Sequence, residues 1–270
     1  MFPVFLTIGV FHFYSLSIFL VLAWLTFSFL YWRSLRNSGV AEERIFDLTF
    51  YSSLSAFVAA RAGYVVTNLD LFQTNMLRAA AIWIAPGLSL YGAILGGLVV
   101  LVYLSRQYKV RLGLVLDAFG SAFGWAYVVG LIGAFFDGSY VGTPVAIPWA
   151  VRYVGHAAAR HPVQIYELIS MLIVLFIMAF LTRAAVIKKW SYGLLGLWFI
   201  ALFAASEFIL EFFKDTRVYW GILRANQWVL VALFAETMGA FYVRGGGREK
   251  LRPWVNRIGG IYGKFSKRHT

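Results

Sequence analysis

Hydrophobic residues fill long stretches of this chain, and polar residues fall mainly between them. A helix needs about 17 to 25 predominantly apolar residues to cross the hydrocarbon core of a bilayer. Stretches of that kind occur at residues 13–32, 48–67, 88–104, 113–136, 165–182, 191–213 and 226–243. The pattern predicts an all-α integral membrane protein with seven transmembrane helices, and we expect residues 1–243 to form a single polytopic membrane domain.

The composition agrees with a membrane protein and narrows the chemistry. Of the 270 residues, 61% are hydrophobic and 13% are charged, which leaves too little polar surface to cover a soluble globule. The chain contains no cysteine, so it has no disulfide framework and no thiol of its own to act as a nucleophile or metal ligand. We expect neither a cofactor nor a metal.

Basic residues are concentrated on one side of the predicted membrane. Outside the apolar stretches, seventeen Lys and Arg residues fall on one side and six on the other. Because cytoplasmic loops are enriched in Lys and Arg, we expect the N-terminus outside and residues 244–270 as a basic cytoplasmic tail. The net charge of +12 is interpreted as a collar facing anionic lipid headgroups. A nucleic-acid partner is not expected, because such basic surfaces normally belong to soluble modules.

The long connection between the fourth and fifth helices is a candidate location for a site. Residues 137–164 are extracytoplasmic in this orientation and combine Gly and Pro turn residues with Trp149, Arg152 and His156. Long, turn-rich loops with aromatic and basic side chains often carry function. The alternative, an amphipathic strap at the membrane interface, stays open on composition alone.

Several ionisable residues interrupt the apolar stretches, where each costs roughly 2.5 kcal/mol or more without a partner or a function. Arg61 lies among small residues and either pairs with a neighbouring helix or binds a lipid phosphate, which suits the forked guanidinium. Glu207 and Glu211 are four residues apart, so they share a helix face and repel each other. We expect Arg61, or protonation of one carboxylate, to relieve that repulsion.

A series of short motifs follows one another along the chain. These motifs are His12-Phe13-Tyr14, Ala60–Val65, Leu90–Gly96, Gly130–Gly142, Pro148–Val151, Arg160–Glu167, Glu211–Lys214 and Gln227. The most specific one is Arg-His-Pro-x-Gln-x-Tyr-Glu, which runs from Arg160 to Glu167. In these motifs and in their order, the chain resembles the bacterial prolipoprotein diacylglyceryl transferase family.

The resemblance implies an enzyme of the bacterial plasma (inner) membrane. It implies transfer of the diacylglyceryl group of phosphatidylglycerol, or of a related phospholipid, to the thiol of a prolipoprotein lipobox cysteine, with release of glycerol phosphate. The catalytic candidates it implies are Tyr14, Tyr91 and His161. The candidates for binding the lipid phosphate are Arg61, Arg160, Gly130, Gly133, Asp137 and Gly138. The supporting candidates are His12, Gln164, Tyr166, Glu167, Glu207 and Glu211.

Several positions depart from the family pattern. The family has histidine at the position of Tyr91 and arginine at the position of Glu207, and Leu131, Ala134 and Ser139 replace an arginine, an asparagine and a glutamate. Two hypotheses follow: a transferase acting on this or another lipid and acceptor, or an inactive family member that binds phospholipid or lipoprotein precursor. A transporter is disfavoured, because neither an inverted repeat nor a pair of interrupted helices is visible.

Overall fold

The computed structural model describes residues 4–8, 11–73, 75–82, 84–85, 87–215 and 219–244. Seven α-helices lie within these residues: α1 Ser15–Asn37, α2 Glu42–Thr67, α3 Leu90–Gln107, α4 Leu112–Asp137, α5 Val163–Ile187, α6 Leu194–Leu210 and α7 Ala225–Tyr242. Short 3₁₀ helices cover Leu69–Leu71, Met76–Ala79 and Glu211–Phe213. The molecule is mostly helical, and each helix overlaps one of the predicted apolar stretches.

Five described stretches are long and apolar enough to cross a membrane. They are Ser15–Asn37, Leu90–Gln107, Leu112–Asp137, Val163–Ile187 and Leu194–Phe213. The helices α2 and α7 do not meet the same criterion. The chain is thus a multi-pass membrane protein of mainly helical structure.

The mostly helical structure agrees with the predicted all-α class, and two short antiparallel hairpins accompany the helices. The first pairs β1 Val4–Ile8 with β2 Phe11–Tyr14, and the second pairs β3 Tyr219–Trp220 with β4 Leu223–Arg224. The first predicted helix was placed at residue 13, but α1 begins at Ser15. Aromatic and β-branched residues are abundant in the first hairpin and favour strands, so hydrophobicity alone did not separate the strand from the helix.

Close helix contacts depend on glycine at a few positions. Gly92 and Gly96 of α3 face Ala59 of α2, and a Cβ on Gly92 would lie 2.5 Å from the Ala59 carbonyl oxygen. Gly133 of α4 lies directly against Phe19 of α1. Small residues let helix backbones approach closely, so these positions fix the α2–α3 and α1–α4 pairs.

The connection between α4 and α5 is joined to the segment after α6. Gly138 ends α4 in the left-handed conformation, with φ of +70°. Thr143 N–H donates to the Phe213 carbonyl at 2.8 Å, and Asp215 N–H donates to the Val141 carbonyl at 3.0 Å. These bonds bring the end of α4, the start of α5 and the end of α6 to one place.

The predicted tail, residues 244–270, lies outside the described residues except for Arg244. Arg244 donates to the Tyr192 carbonyl at 3.2 Å.

Candidate functional site

A buried lysine lies at the centre of a cluster of glutamates. Lys214 Nζ is 2.6 Å from Glu167 Oε1, 3.1 Å from Glu211 Oε2 and 3.3 Å from Glu207 Oε2. The lysine side chain is 14% exposed, and the three carboxylates are 5% exposed or less. We call these four residues the Lys214 cluster.

Three polar side chains donate hydrogen bonds to the carboxylates of the Lys214 cluster. Tyr140 donates its hydroxyl to Glu167, Tyr127 donates to Glu207 at 3.3 Å, and Asn226 donates to Glu211 at 3.0 Å. Buried carboxylates need such donors, because an unpaired buried charge is costly. The cluster and its hydrogen-bond donors therefore come from α4, α5, α6, α7, the connection after α4 and the segment after α6.

A second cation lies beside the cluster. Arg224 donates to the main-chain carbonyl of Glu211 and, through Nε, to the Tyr219 hydroxyl at 3.3 Å. Its hydrogen bonds thus go to neutral oxygens. Three carboxylates and two cations meet in this region, so it carries one excess negative charge when all the groups are ionised.

The pKa values of two groups outside the apolar helices reflect this environment. Burial lowers the pKa of Lys214, but Glu167, Glu207 and Glu211 raise it by a larger amount, so the net pKa is raised. Burial, and then the charge of Glu167, raise the pKa of Tyr140. The ammonium and the phenol therefore both keep their protons at neutral pH.

Arg160 lies at the edge of this region with part of its guanidinium unused. Its Nη1 donates to Asp215 Oδ2 at 2.6 Å and to the Gly142 carbonyl at 3.0 Å. Its Nε is buried and has no hydrogen-bond partner in the described part of the chain. A buried N–H of this kind costs about 1–3 kcal/mol when unsatisfied, so it marks a place where an anion would bind favourably.

His161, next to Arg160, belongs to a short chain of hydrogen-bonding aromatic residues. Trp149 Nε1–H donates to the Tyr166 hydroxyl at 2.8 Å, and the same hydroxyl is 3.1 Å from His161 Nδ1. Because the Tyr166 oxygen accepts from Trp149, its own proton is free to point at Nδ1. That arrangement favours the His161 tautomer with its proton on Nε2.

Gln164 connects the start of α5 to the loop. It accepts from the Tyr153 hydroxyl at 2.7 Å and donates to the Tyr140 carbonyl. Burial is the main cause that raises the pKa of Tyr153 to about 12. Gln164 thereby positions Tyr140, whose hydroxyl donates to Glu167.

The structure brings some of the predicted residues together and keeps others apart. Glu167, Glu207 and Glu211 meet at Lys214. Tyr91 lies near enough to interact with the charges of all four residues. Arg160, His161, Gln164 and Tyr166 lie on the loop and the start of α5 next to them. A cation does relieve the repulsion between Glu207 and Glu211, which was one of the two expected explanations, but that cation is Lys214 and not Arg61.

Arg61 instead holds the segment between α2 and α3. Its guanidinium donates to the carbonyls of Ala79 at 2.5 Å, Ala85 and Gly87 at 2.9 Å each, and Arg78 at 3.0 Å. Four of its five N–H groups are thus satisfied by backbone. Because Gly87 lies just before α3, this arrangement fixes the start of the helix that carries Tyr91.

The glycine-rich segment is placed differently from the expected phosphate site. Gly130 and Gly133 lie inside α4, where backbone N–H groups form helix hydrogen bonds and are not free to bind an anion. Both residues face α1, and their role in phosphate binding stays a prediction. Asp137 is the last residue of α4, and Gly138 forms its C-terminal turn.

His12 and Tyr14 lie on β2 of the N-terminal hairpin, not on the first helix. His12 Nδ1 is 3.3 Å from Thr7 Oγ1, and the Tyr14 side chain is 52% exposed. No described hydrogen bond joins either residue to the Lys214 cluster.

Sequence reasoning assigned no role to Lys214 of the cluster or to its three hydrogen-bond donors, Tyr140, Tyr127 and Asn226. A signal existed for Lys214, which follows Glu211 by three residues and Glu207 by seven. Such spacings place side chains on one helix face. The other three come from distant parts of the chain, so no local spacing indicates them.

Fold and site together define a multi-pass helical membrane protein with a buried cluster of charges beneath a loop. The chain belongs to the prolipoprotein diacylglyceryl transferase family, whose model matches residues 3–243.

Relatives with assigned names agree with this membership. A phosphatidylglycerol–prolipoprotein diacylglyceryl transferase from Geobacter sulfurreducens is 27% identical over 225 residues, covering 82% of this chain and 85% of that protein. A protein of the same name from Finegoldia magna is 25% identical over 198 residues, covering 73% and 77%. A third, from Wolinella succinogenes, is 31% identical over 137 residues, covering 51% and 48%.

Proposed function

We propose that this protein transfers a diacylglyceryl group from phosphatidylglycerol, or a related phospholipid, to the cysteine thiol of a prolipoprotein. Family membership and the names of the relatives support this function. The observation that carries it is the buried Nε of Arg160, which lies beside His161 and has no hydrogen-bond partner among the described residues. The reaction requires a cation that binds the phosphate and a base that accepts the thiol proton, and Arg160 and His161 are candidates for these two roles.

We further propose that all seven helices cross the bacterial inner membrane, with the N-terminus outside. The excess of basic residues on the opposite side supports this orientation. The connection between α4 and α5, and with it Arg160 and His161, is then extracytoplasmic. A secreted precursor would reach the site from that side.

The reaction forms a carbon–sulfur bond and breaks the carbon–oxygen bond that joins the glyceryl group to the phosphate. The thiol proton passes to a base, and the phosphate leaves with both bonding electrons. In our proposal Arg160 binds this phosphate, because charge-assisted donors stabilise the negative charge that develops on it. Tyr91 and His161 are the candidates for moving the proton, and Arg61 acts on α3 through the backbone.

A transfer assay tests this function. Purified protein is incubated with labelled phosphatidylglycerol and a lipobox peptide, and mass added to the cysteine is measured. We expect addition by the natural sequence and its loss in Arg160→Gln. The matched control is Arg152→Gln, because Arg152 is an exposed arginine of the same loop. Equal loss in both variants, or no addition by the natural sequence, would contradict the proposal.

A second candidate function is lipid or precursor binding without turnover. The observation in its favour is that the cation within the cluster and the cation beside it are already engaged, Lys214 by three carboxylates and Arg224 by neutral oxygens. Retained lipid binding without any addition to the peptide would support this candidate. If Glu207→Arg then created activity, the missing positive charge would be the cause.

A further inference from the structure

A groove lies between α1 and α2, near the ends of the two helices that are joined by their short connection. Its volume is about 350 Å³, and it is lined by Trp24, Ser28, Trp32, Glu42, Ile45, Phe46, Thr49 and Phe50. We call this the α1–α2 groove. Small side chains at Ser28 and Thr49 stand between larger aromatic ones, so they leave the space that the groove occupies.

The groove extends from the membrane face toward the bilayer interior. Trp24 and Trp32 are eight residues apart on α1, and Glu42 and Phe50 are eight residues apart on α2. At 1.5 Å per residue, each pair spans about 12 Å along its helix. That length approaches half of the roughly 30 Å hydrocarbon core, which is the depth that one leaflet occupies.

The walls of the groove are suited to a hydrocarbon chain. Phe46 is 66% exposed, Trp24 is 46% exposed and Phe50 is 45% exposed. Phe46 and Phe50 stack with ring centroids 5.7 Å apart. Exposed aromatic surface at this depth in a membrane protein faces acyl chains, so the apolar part of a lipid is the natural occupant.

An ion pair lies at the mouth of the groove. Arg36 Nε is 2.9 Å from Glu42 Oε1, and both side chains are more than half exposed. The Arg36 guanidinium also lies over the Trp32 ring, 4.9 Å from its centroid. An exposed ion pair of this kind contributes little stability by itself, so both groups can exchange contacts with a ligand at small cost.

We propose that the α1–α2 groove binds a glycerophospholipid with an ammonium headgroup, such as phosphatidylethanolamine. The phosphate binds the Nη nitrogens of Arg36, the ammonium binds Glu42, and an acyl chain lies between Trp24 and Phe50. Paired charges of opposite sign match a zwitterionic headgroup better than an anionic one, because Glu42 repels a second negative charge.

This groove is separate from the candidate catalytic site. Gly133 near the end of α4 packs against Phe19 near the start of α1. The loop that follows α4 therefore lies at the end of the bundle where α1 starts. The α1–α2 groove begins at Trp24, about 8 Å along α1 from Phe19, and runs away from that end to its mouth at Arg36, about 26 Å from Phe19. The inference does not depend on the transferase activity.

Lipid retention measured by native mass spectrometry tests this proposal. The full-length protein is equilibrated with equal amounts of phosphatidylethanolamine, phosphatidylcholine and phosphatidylglycerol of identical acyl chains. We expect phosphatidylethanolamine to be retained about tenfold over the other two, because its ammonium donates charge-assisted hydrogen bonds to a carboxylate, whereas phosphatidylglycerol offers only neutral hydroxyl donors. Phosphatidylcholine has a quaternary nitrogen without N–H groups. Equal retention of all three lipids, or preferred retention of phosphatidylglycerol, would overturn the proposal.

Variants locate the site on the protein. Glu42→Gln should abolish the preference without loss of folding, because the residue is exposed. Ser28→Leu should reduce retention by about tenfold by filling the groove. Ser17→Leu is the matched control, since Ser17 is an exposed serine of α1 outside the groove. Unchanged retention in both groove variants, or an equal loss in the Ser17 control, would show that the lipid binds elsewhere.

Discussion

Replacing Lys214 with methionine should destabilise the protein more than most single substitutions. Methionine keeps much of the length of the side chain but removes the ammonium that Glu167, Glu207 and Glu211 share at 2.6, 3.3 and 3.1 Å. Breaking a buried ion pair by removing one partner costs about 3–5 kcal/mol. In this variant three carboxylates lose their shared cation, and Arg224 does not replace it, because it donates to neutral oxygens. We therefore expect the free energy of unfolding to fall by an amount within that range.

The pH dependence separates this electrostatic cause from lost packing. The pKa of Lys214 is raised above its ordinary value of 10.5, so its stabilising effect is complete below about that pH and is lost only as pH rises through the higher folded value. The natural protein should therefore gain no pH dependence from this lysine near neutrality. Lowering the pH should recover part of the stability that Lys214→Met loses, because protonation removes uncompensated negative charge.

Thermal unfolding in detergent, followed by circular dichroism, measures both effects. A second change, Glu207→Gln in the Lys214→Met background, should restore part of the loss because one of the uncompensated charges disappears. The coupling between the two positions should be about 1–3 kcal/mol. A Lys214→Met protein with the natural midpoint at about pH 8, or a double variant no more stable than the single one, would refute the reasoning.

Three further predictions follow from other contacts. Arg61→Lys should cost about 2–4 kcal/mol, nearly as much as Arg61→Ala in the same unfolding assay, because a single ammonium cannot reach carbonyls spread along the loop. A large recovery by lysine would instead support binding through charge alone. Gly133→Ala should cost about 1–3 kcal/mol by overpacking against Phe19, whereas Gly130→Ala should be tolerated, since its new Cβ would lie 4.0 Å from the nearest side chain; equal effects would contradict the packing. Tyr153 should destabilise the folded state as pH rises from about 10 to about 12, because its folded pKa exceeds the unfolded one, and alkaline titration of Tyr153→Phe should show less of this loss.

The hydrophobic pattern predicted the bounds of a helix well when the helix is apolar over its whole length. The predicted stretch 113–136 corresponds to α4, Leu112–Asp137. The prediction for α2 began six residues late, because its first turns contain Glu42, Glu43 and Asp47. A hydrophobic stretch marks the part of a helix that faces lipid, whereas hydrogen bonding sets where the helix begins.

The candidate site could be predicted only in part, for a similar reason. The motif from Arg160 to Glu167 supplied Arg160, His161, Gln164 and Glu167, because these residues lie close together in the sequence. The partners of Glu167 come from elsewhere, since Tyr140 precedes it by a long loop and Lys214 follows α6. Sequence spacing indicates neighbours on one element, and only the packing of several elements brings these groups together.

The charges in the site restrict how the proposed reaction can proceed. If the family has an arginine at the position of Glu207, as the resemblance implies, this chain has a carboxylate there instead, beside Lys214. An anionic phosphate approaching the Lys214 cluster would meet an excess of negative charge, and the ammonium is already shared by three carboxylates. Arg160 differs, because a single carboxylate, Asp215, engages Nη1 and its buried Nε has no described partner. If the family reaction takes place here, the phosphate is therefore bound on the loop side, at Arg160, and the Lys214 cluster holds α5, α6 and the loop in position.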